Sequence, residues 1–229
     1  MLLLKIPRPR GYAGSIPASG TIAFLPLLSI HSTILSDLLL RTESLSVGRG
    51  DRVLLRELTI AVGCGQLVHL RGRNGTGKTS LLEVLAGLRS PVSGKVERTA
   101  GGLHWLGHKN ALNGDLSVLE NLQFWCALQH CDASAIAGAL ERLGLAKLRH
   151  RPCRTLSAGQ KRRAALVRLL IAPRPLWLLD EPLAALDAEG LAYVGQMLDE
   201  HLQRDGGALV TSHQALPVGR DRLQLLEIG

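Results

Sequence analysis

The stretch Gly72-Arg73-Asn74-Gly75-Thr76-Gly77-Lys78-Thr79 satisfies the pattern G-x-x-x-x-G-K-[ST] in full. That pattern builds a loop around a chain of phosphates. Gly72, Gly75 and Gly77 predict backbone at positive φ that approaches a phosphate closely. Successive N–H groups and the start of the next helix then face a β-phosphate. Lys78 supplies a point charge between β- and γ-phosphates, the Thr79 hydroxyl suits Mg²⁺, and Ser80 reaches the α-phosphate region. Asp180-Glu181 closes the apolar run Pro175–Asp180. Two carboxylates at a strand end lie where open α/β sheets bind ligands. Asp180 is the expected holder of Mg²⁺ through water. Glu181 is the expected general base that orients the attacking water.

A third element is Leu156-Ser157-Ala158-Gly159-Gln160. Ser157 has N-cap chemistry and opens a helix. A serine hydroxyl, a glycine backbone and a helix N-terminus together form a second cradle for a γ-phosphate. Read alone, the pentapeptide is an ordinary cap before a basic helix. Its place 23 residues before Asp180 favours the cradle.

These residues need strands and helices to hold them. Leu38–Leu45 and Val53–Val62 have strand character, with Gly48 and Gly50 as the turn between them. Gln66–Arg71 is a short strand that ends at the glycine-rich loop, and Lys78–Leu88 has helical spacing of leucines. Residues 109–165 differ in texture. Helical patterns cover Ser117–Leu128, Ala133–Leu143 with Asp132 as N-cap, and Ser157–Leu170. This predicts a mostly helical insertion in an α/β domain. Pro175–Asp180 reads as a buried strand. A helix at 188–203, a strand at 208–212 and a last strand at 222–227 follow.

Composition excludes some functions. Aromatics are 3% of 229 residues, too few for a base-stacking platform, so no nucleic-acid partner is expected. The net charge of +8 is either a solvated surface or a face for an acidic partner. The basic run Lys147, Arg149, Arg151, Arg154, Lys161, Arg162 and Arg163 reads as a solvated face, with some residues near the nucleotide or the dimer seam, rather than as a lipid contact. The four cysteines, at 64, 126, 131 and 153, fit no zinc spacing and read as free thiols. Cys126, His130 and Cys131 read as half-buried helix residues rather than a metal or haem contact. The greasiest stretch, 22–40, is too interrupted to span a bilayer. Residues 1–36 carry four prolines, Lys5, Arg8 and Arg10, and no acid. They read as a disordered extension: a targeting peptide, or the product of a gene start placed too far upstream. Gly14-Ser15-Ile16-Pro17 looks like a translated transfer-RNA T-arm. The nucleotide-binding domain proper then runs over 37–229.

Taken together, the motifs resemble those of ATP-binding-cassette (ABC) ATPases over roughly residues 38–229. The resemblance implies a P-loop NTPase (RecA-like) fold with an antiparallel β subdomain and a helical signature subdomain. Gly72–Thr79 matches the family's Walker A, Leu156–Gln160 its signature, Asp180-Glu181 the end of Walker B, and Ala185-Leu186-Asp187 the D-loop. His213, in Thr211-Ser212-His213, matches the switch histidine, a γ-phosphate contact. The resemblance implies ATP with Mg²⁺, and a homodimer in which Ser157, Ala158, Gly159 and Gln160 act on the partner's nucleotide.

Two departures stand out. The aromatic that usually stacks on adenine is replaced by Ser46-Val47-Gly48-Arg49, so adenine would rest on Val47, on the Arg49 guanidinium, or loosely. The Q-loop glutamine is replaced by His108, which is either a pH-sensitive Mg²⁺ sensor or a tolerated polar substitute. Gly107-His108, Leu116–Leu122, Leu156–Arg163 and Leu176–Leu183 resemble the haem-exporting ATPases of cytochrome c maturation. Small cassettes of other bacterial exporters share much of this pattern. The resemblance implies two integral membrane permease subunits, a periplasmic haem chaperone, and a peripheral position on the cytoplasmic face of the bacterial inner membrane. A soluble ABC ATPase of nucleic-acid or ribosome work would carry a long coiled coil or two cassettes, and this chain has neither.

Overall fold

A computed structural model describes residues 38–228. The readings of residues 1–36 lie outside them. Five parallel strands form the central sheet: β4 (Leu67–Arg71), β6 (Leu103–Leu106), β7 (Leu176–Asp180), β8 (Gly207–Thr211) and β9 (Leu223–Glu227). Their order is β6-β7-β8-β4-β9. Every residue of β7 and β8 is buried. Alternate side chains go to opposite faces, as the pleat requires. Trp177, Leu179, Ala208 and Val210 join one apolar cluster, whereas Leu176, Leu178 and Leu209 join the other.

The second cluster is closed by helix α1 (Lys78–Leu85) and by a small antiparallel sheet. In that sheet β1 (Leu38–Arg49) pairs with β2 (Arg52–Leu58), β3 (Ala61–Gly63) and β5 (Ser93–Arg98). The first cluster is closed by α2 (Val118–Gln129), α3 (Ala135–Arg142), α4 (Ala158–Ile171) and α5 (Ala188–Gln203). The predicted α/β fold with an antiparallel layer and a helical segment is therefore present.

Local details differ from the sequence reading. Strand β1 continues through Gly48 instead of turning there. The run Val53–Val62 is split into β2 and β3, with Glu57 at a φ of 50°. Strands β5 and β6 were not anticipated. β5 is largely exposed and lacks the alternation that marks a strand, and β6 is only four residues long. Asp132 is not an N-cap: its carboxylate accepts from the Ser134 N–H in a turn before α3. Cys126 is buried, Cys131 half-buried and His130 exposed. Among the described residues no group of three or more His, Cys, Asp or Glu could hold a metal.

His104 is buried and His201 half-buried in the first cluster's flank. His104 hydrogen-bonds the Ala172 carbonyl and meets Trp125 edge-on. His201 stacks on Trp177 with centroids 3.7 Å apart. Burial pushes both down to about 4. Each is neutral in the folded chain, whereas in the unfolded chain it titrates near 6.5. The unfolded state therefore takes up protons first as pH falls. The stability is fully present above pH 6.5 and drains away toward pH 4. At pH 5 we expect a loss of about 2 kcal/mol per histidine. Urea midpoints at pH 7.5 and pH 5 check this, and equal midpoints would refute it.

Candidate active site

The strand order places four loops side by side at the carboxyl edge of the sheet. His108 follows β6, Asp180-Glu181 ends β7, Thr211-Ser212-His213 ends β8, and Gly72–Thr79 follows β4. Neighbouring strands lie about 4.8 Å apart, so side chains on adjacent loops can touch. They enclose a cleft of about 520 Å³ lined by Gly75, Lys78, Thr79, Ser80, His108, Asp180, Glu181 and His213, among others.

Gly75 and Gly77 take positive φ, 83° and 104°, which bends the loop back over the start of α1. Gly72 does not adopt positive φ, contrary to expectation. It must lack a side chain because a Cβ there would sit 2.3 Å from the Ile228 carbonyl. Thr76 Oγ1 donates to the Arg73 carbonyl at 2.9 Å, closing the loop on itself. Lys78 Nζ donates to the carbonyls of Gly72 (2.7 Å) and Arg73 (3.1 Å). The ammonium thus lies folded across the loop, beside the backbone that would cradle a phosphate. Arg73 and Asn74 form the loop's crest.

The carboxylate pair is held from two sides. Asp180 is buried, and its Oδ2 accepts from Thr79 Oγ1 at 2.8 Å. Its Oδ1 accepts from Thr211 Oγ1 at 2.7 Å. Glu181 has a φ of 51°, a left-handed conformation that costs a non-glycine residue about 1–2 kcal/mol. Its N–H donates to Thr211 Oγ1 (2.9 Å) and to the Thr211 carbonyl (3.1 Å), which hold that conformation. Glu181 Oε2 accepts from the His213 N–H at 3.4 Å, and Oε1 lies 3.6 Å from His213 Nε2. Glu181 Oε1 is buried without a hydrogen-bond donor among the described residues. It is an unpaired acceptor on a residue that lines the cleft.

Ser157 caps α4. Its Oγ accepts from the Gln160 N–H at 3.2 Å while Gln160 Oε1 accepts from the Ser157 N–H at 3.0 Å. Such reciprocal caps contribute about 1 kcal/mol. Ser157 and Ala158 are exposed and Gly159 packs against the D-loop, where a Cβ would lie 2.6 Å from the Ala185 carbonyl. Asp187 caps α5 through the Gly190 N–H at 2.9 Å. None of Ser157, Ala158, Gly159 and Gln160 lines the 520 Å³ cleft of the same chain. The two cradles are apart within one subunit.

Two sequence readings change. Val47 is fully buried and is no platform for adenine, whereas Arg49, the other candidate, lines the cleft together with Leu54. Arg162 and Arg163 are buried, not part of a solvated basic face. Arg163 Nη1 donates to the Leu143 carbonyl. His69, which sequence reasoning passed over, is buried on β4 with its Nε2 3.0 Å from the Ser212 carbonyl. Burial lowers its pKa, and its contact with the Ser212 carbonyl steadies the peptide next to His213. A polar residue inside the apolar run Leu67–Leu70 was the signal for it.

A parallel sheet with a phosphate loop after one strand and a carboxylate pair after a near neighbour defines a P-loop nucleoside triphosphatase. The chain belongs to the ABC transporter family, whose profile matches residues 55–184. The "Cytochrome c biogenesis ATP-binding export protein CcmA" of Methylococcus capsulatus is 45% identical over 82% of this chain and 97% of its own. The protein of the same name from Rhodobacter capsulatus is 42% identical over 83% and 87%. Among solved structures, an ABC transporter ATP-binding protein from Pyrococcus furiosus aligns with a TM-score of 0.68 at 25% identity, over 82% of this chain and 96% of that one. The ADP conformation of an ATP-binding cassette has the same fold, with a TM-score of 0.66 at 21% identity over 84% and 89%.

Proposed function

We propose that this chain is the ATP-hydrolysing subunit of the export machinery of cytochrome c biogenesis, working on haem delivery or on release of a loaded haem chaperone. The observation that carries the ATPase reading is the Thr79–Asp180 contact of 2.8 Å, which unites the phosphate loop and the carboxylate pair in one cleft. The relatives' shared name supports the assignment to that machinery.

The chain's own groups divide the work. Backbone N–H groups of Gly75–Thr79 and the α1 N-terminus hold the β-phosphate. Lys78 turns from the loop carbonyls to the β/γ-oxygens. Glu181 Oε1 accepts a hydrogen bond from the attacking water and aims it at the γ-phosphorus. His213, on the far side of Glu181, contacts the γ-phosphate. Thr79 and Asp180 form an all-oxygen donor set that suits a hard cation, and they would hold Mg²⁺. When bound, that ion would supply positive charge to offset the charge of the phosphate oxygens. His108 lines the same cleft, where its imidazole could accept a hydrogen bond.

The separation of Ser157–Gln160 from the chain's own cleft supports a head-to-tail homodimer, each ATP lying between one Gly72–Thr79 loop and the other copy's signature. Closure on two ATP molecules and reopening after hydrolysis give a two-state element. Among the described residues no helix is long and apolar enough to cross a membrane. Integral permease subunits would supply the spans, with this chain on the cytoplasmic face of the inner membrane and a periplasmic haem chaperone beyond.

A groove of about 450 Å³ between β6 and α2 supports that attachment. Phe124 and Leu128 line it and are 62% and 61% exposed. Such an apolar pair beside the His108 loop fits a short helix of a permease subunit. Replacing both by serine should abolish co-purification with the permease subunits while ATP affinity stays within about twofold. Undiminished co-purification would refute the docking site. For the whole reading, deletion of the gene should remove haem-stained cytochromes c while the apoproteins persist. Normal cytochromes c would reject it.

A further inference from the structure

The guanidinium of Arg162 lies beneath the catalytic loops, only 3% exposed. Its Nη2 donates to the Asp180 carbonyl at 2.6 Å and its Nε to the Pro182 carbonyl at 3.4 Å. Those two carbonyls flank Glu181. Its Nη1 donates to the Gly107 carbonyl at 2.9 Å and to Asn110 Oδ1 at 3.0 Å. Those two acceptors flank His108. One side chain thus grips the backbone on both sides of the carboxylate, the peptide before the histidine, and the Asn110 side chain two residues after it.

Arg162 stands on α4, five residues after Ser157 in the helix that begins with the signature. Near that start, Gly159 packs directly on the D-loop carbonyl of Ala185. Any shift of α4 moves the guanidinium, and with it the peptides around Glu181 and His108.

We infer that Arg162 is a positioning residue that couples the signature helix to Glu181 and His108 of the same subunit. This role rests on the reading of the cleft as an ATPase site completed by a partner's signature. When a partner's nucleotide seats on Ser157–Gln160, the movement of α4 passes through Arg162 to the chain's own water-orienting carboxylate. Burial lowers its pKa to about 10, opposed by the charges of Asp180 and Glu181, so the group stays cationic at neutral pH. A planar fork of donors is essential, because four acceptors in two separate loops must be held at once. Lysine keeps the charge but not the fork.

The test uses the full chain assembled with its permease subunits, and the variants Arg162→Lys and Arg162→Gln. ATP-binding sites are counted with a fluorescent ATP analogue, and turnover is expressed per ATP-bound subunit, with Glu181→Gln as the baseline. Arg162→Lys should lower kcat per bound subunit about tenfold and Arg162→Gln about a hundredfold, with the ATP Kd within about twofold of wild type, the cost expected of displacing a reacting group by about 1 Å. Turnover per bound subunit within twofold of wild type in both variants would overturn the role. So would a loss that merely follows the fraction of protein able to bind ATP, or a lysine variant that no longer binds ATP at all, since either marks a purely structural clamp. Wild type turning over no faster than Glu181→Gln would sink the ATPase reading itself, and this role with it.

Discussion

Glu181→Gln lowers steady-state ATP turnover by about a thousandfold, the middle of the range for loss of a general base. The amide is isosteric with the carboxylate and keeps the backbone contacts to Thr211, so the left-handed turn at Glu181 survives. What is lost is the anionic acceptor at Oε1, the atom buried without a donor among the described residues. ATP binding should be within about twofold of wild type, because Lys78, Thr79 and the loop N–H groups are untouched. The ATP-bound dimer should therefore accumulate, visible by size exclusion with Mg²⁺ and ATP. Phosphate release measured against wild type checks the claim. Unchanged steady-state turnover would remove Glu181 from the role of base.

Ser157→Asp separates the two cradles. Aspartate is as good an N-cap as serine, so α4 and the thermal midpoint should be preserved. In the proposed head-to-tail dimer, however, the new carboxylate would face the γ-phosphate of the partner's nucleotide. Two unit charges about 4 Å apart near a protein surface repel by about 4 kcal/mol, and a triphosphate carries more than one. Turnover and the ATP-driven dimer should fall by about a thousandfold. The same variant should bind ATP in its own cleft with unaltered Kd, because Ser157 does not line that cleft. Titration with a fluorescent ATP analogue reads one quantity and phosphate release the other. A weakened Kd together with retained dimerisation would place the signature in the chain's own site and contradict the head-to-tail arrangement.

The parts legible in the sequence share one physical property: their function is written in local backbone demands. Gly75 and Gly77 are readable because only glycine takes those φ values cheaply. Ser157 is readable because a cap is decided within four residues. The buried strand at Leu176–Asp180 is readable because both sheet faces are covered, leaving an unbroken apolar run. Val47 was misread because its burial comes from the cluster that β1 shares with α1 and the central sheet, which is not local. Arg162 was misread for a related reason. Helix α4 is buried over most of its surface, so no polar face marks which of its cations are solvated. An arginine in the run Lys161-Arg162-Arg163 looks like surface until the carbonyls of Asp180, Pro182 and Gly107 are brought around it.

The sequence by itself determined the family and its phosphate loop, and it supplied the candidates now proposed as base, metal-holding pair and half of a second cradle. Only the tertiary structure decided which of these share a cleft. The strand order β6-β7-β8-β4 brings His108, Glu181, His213 and Lys78 to one edge and leaves Ser157 elsewhere, on a helix that reaches that edge through Arg162. The reason is that spacing along a chain constrains local conformation. Which distant loops become neighbours is set by how strands order themselves to bury both faces of a sheet.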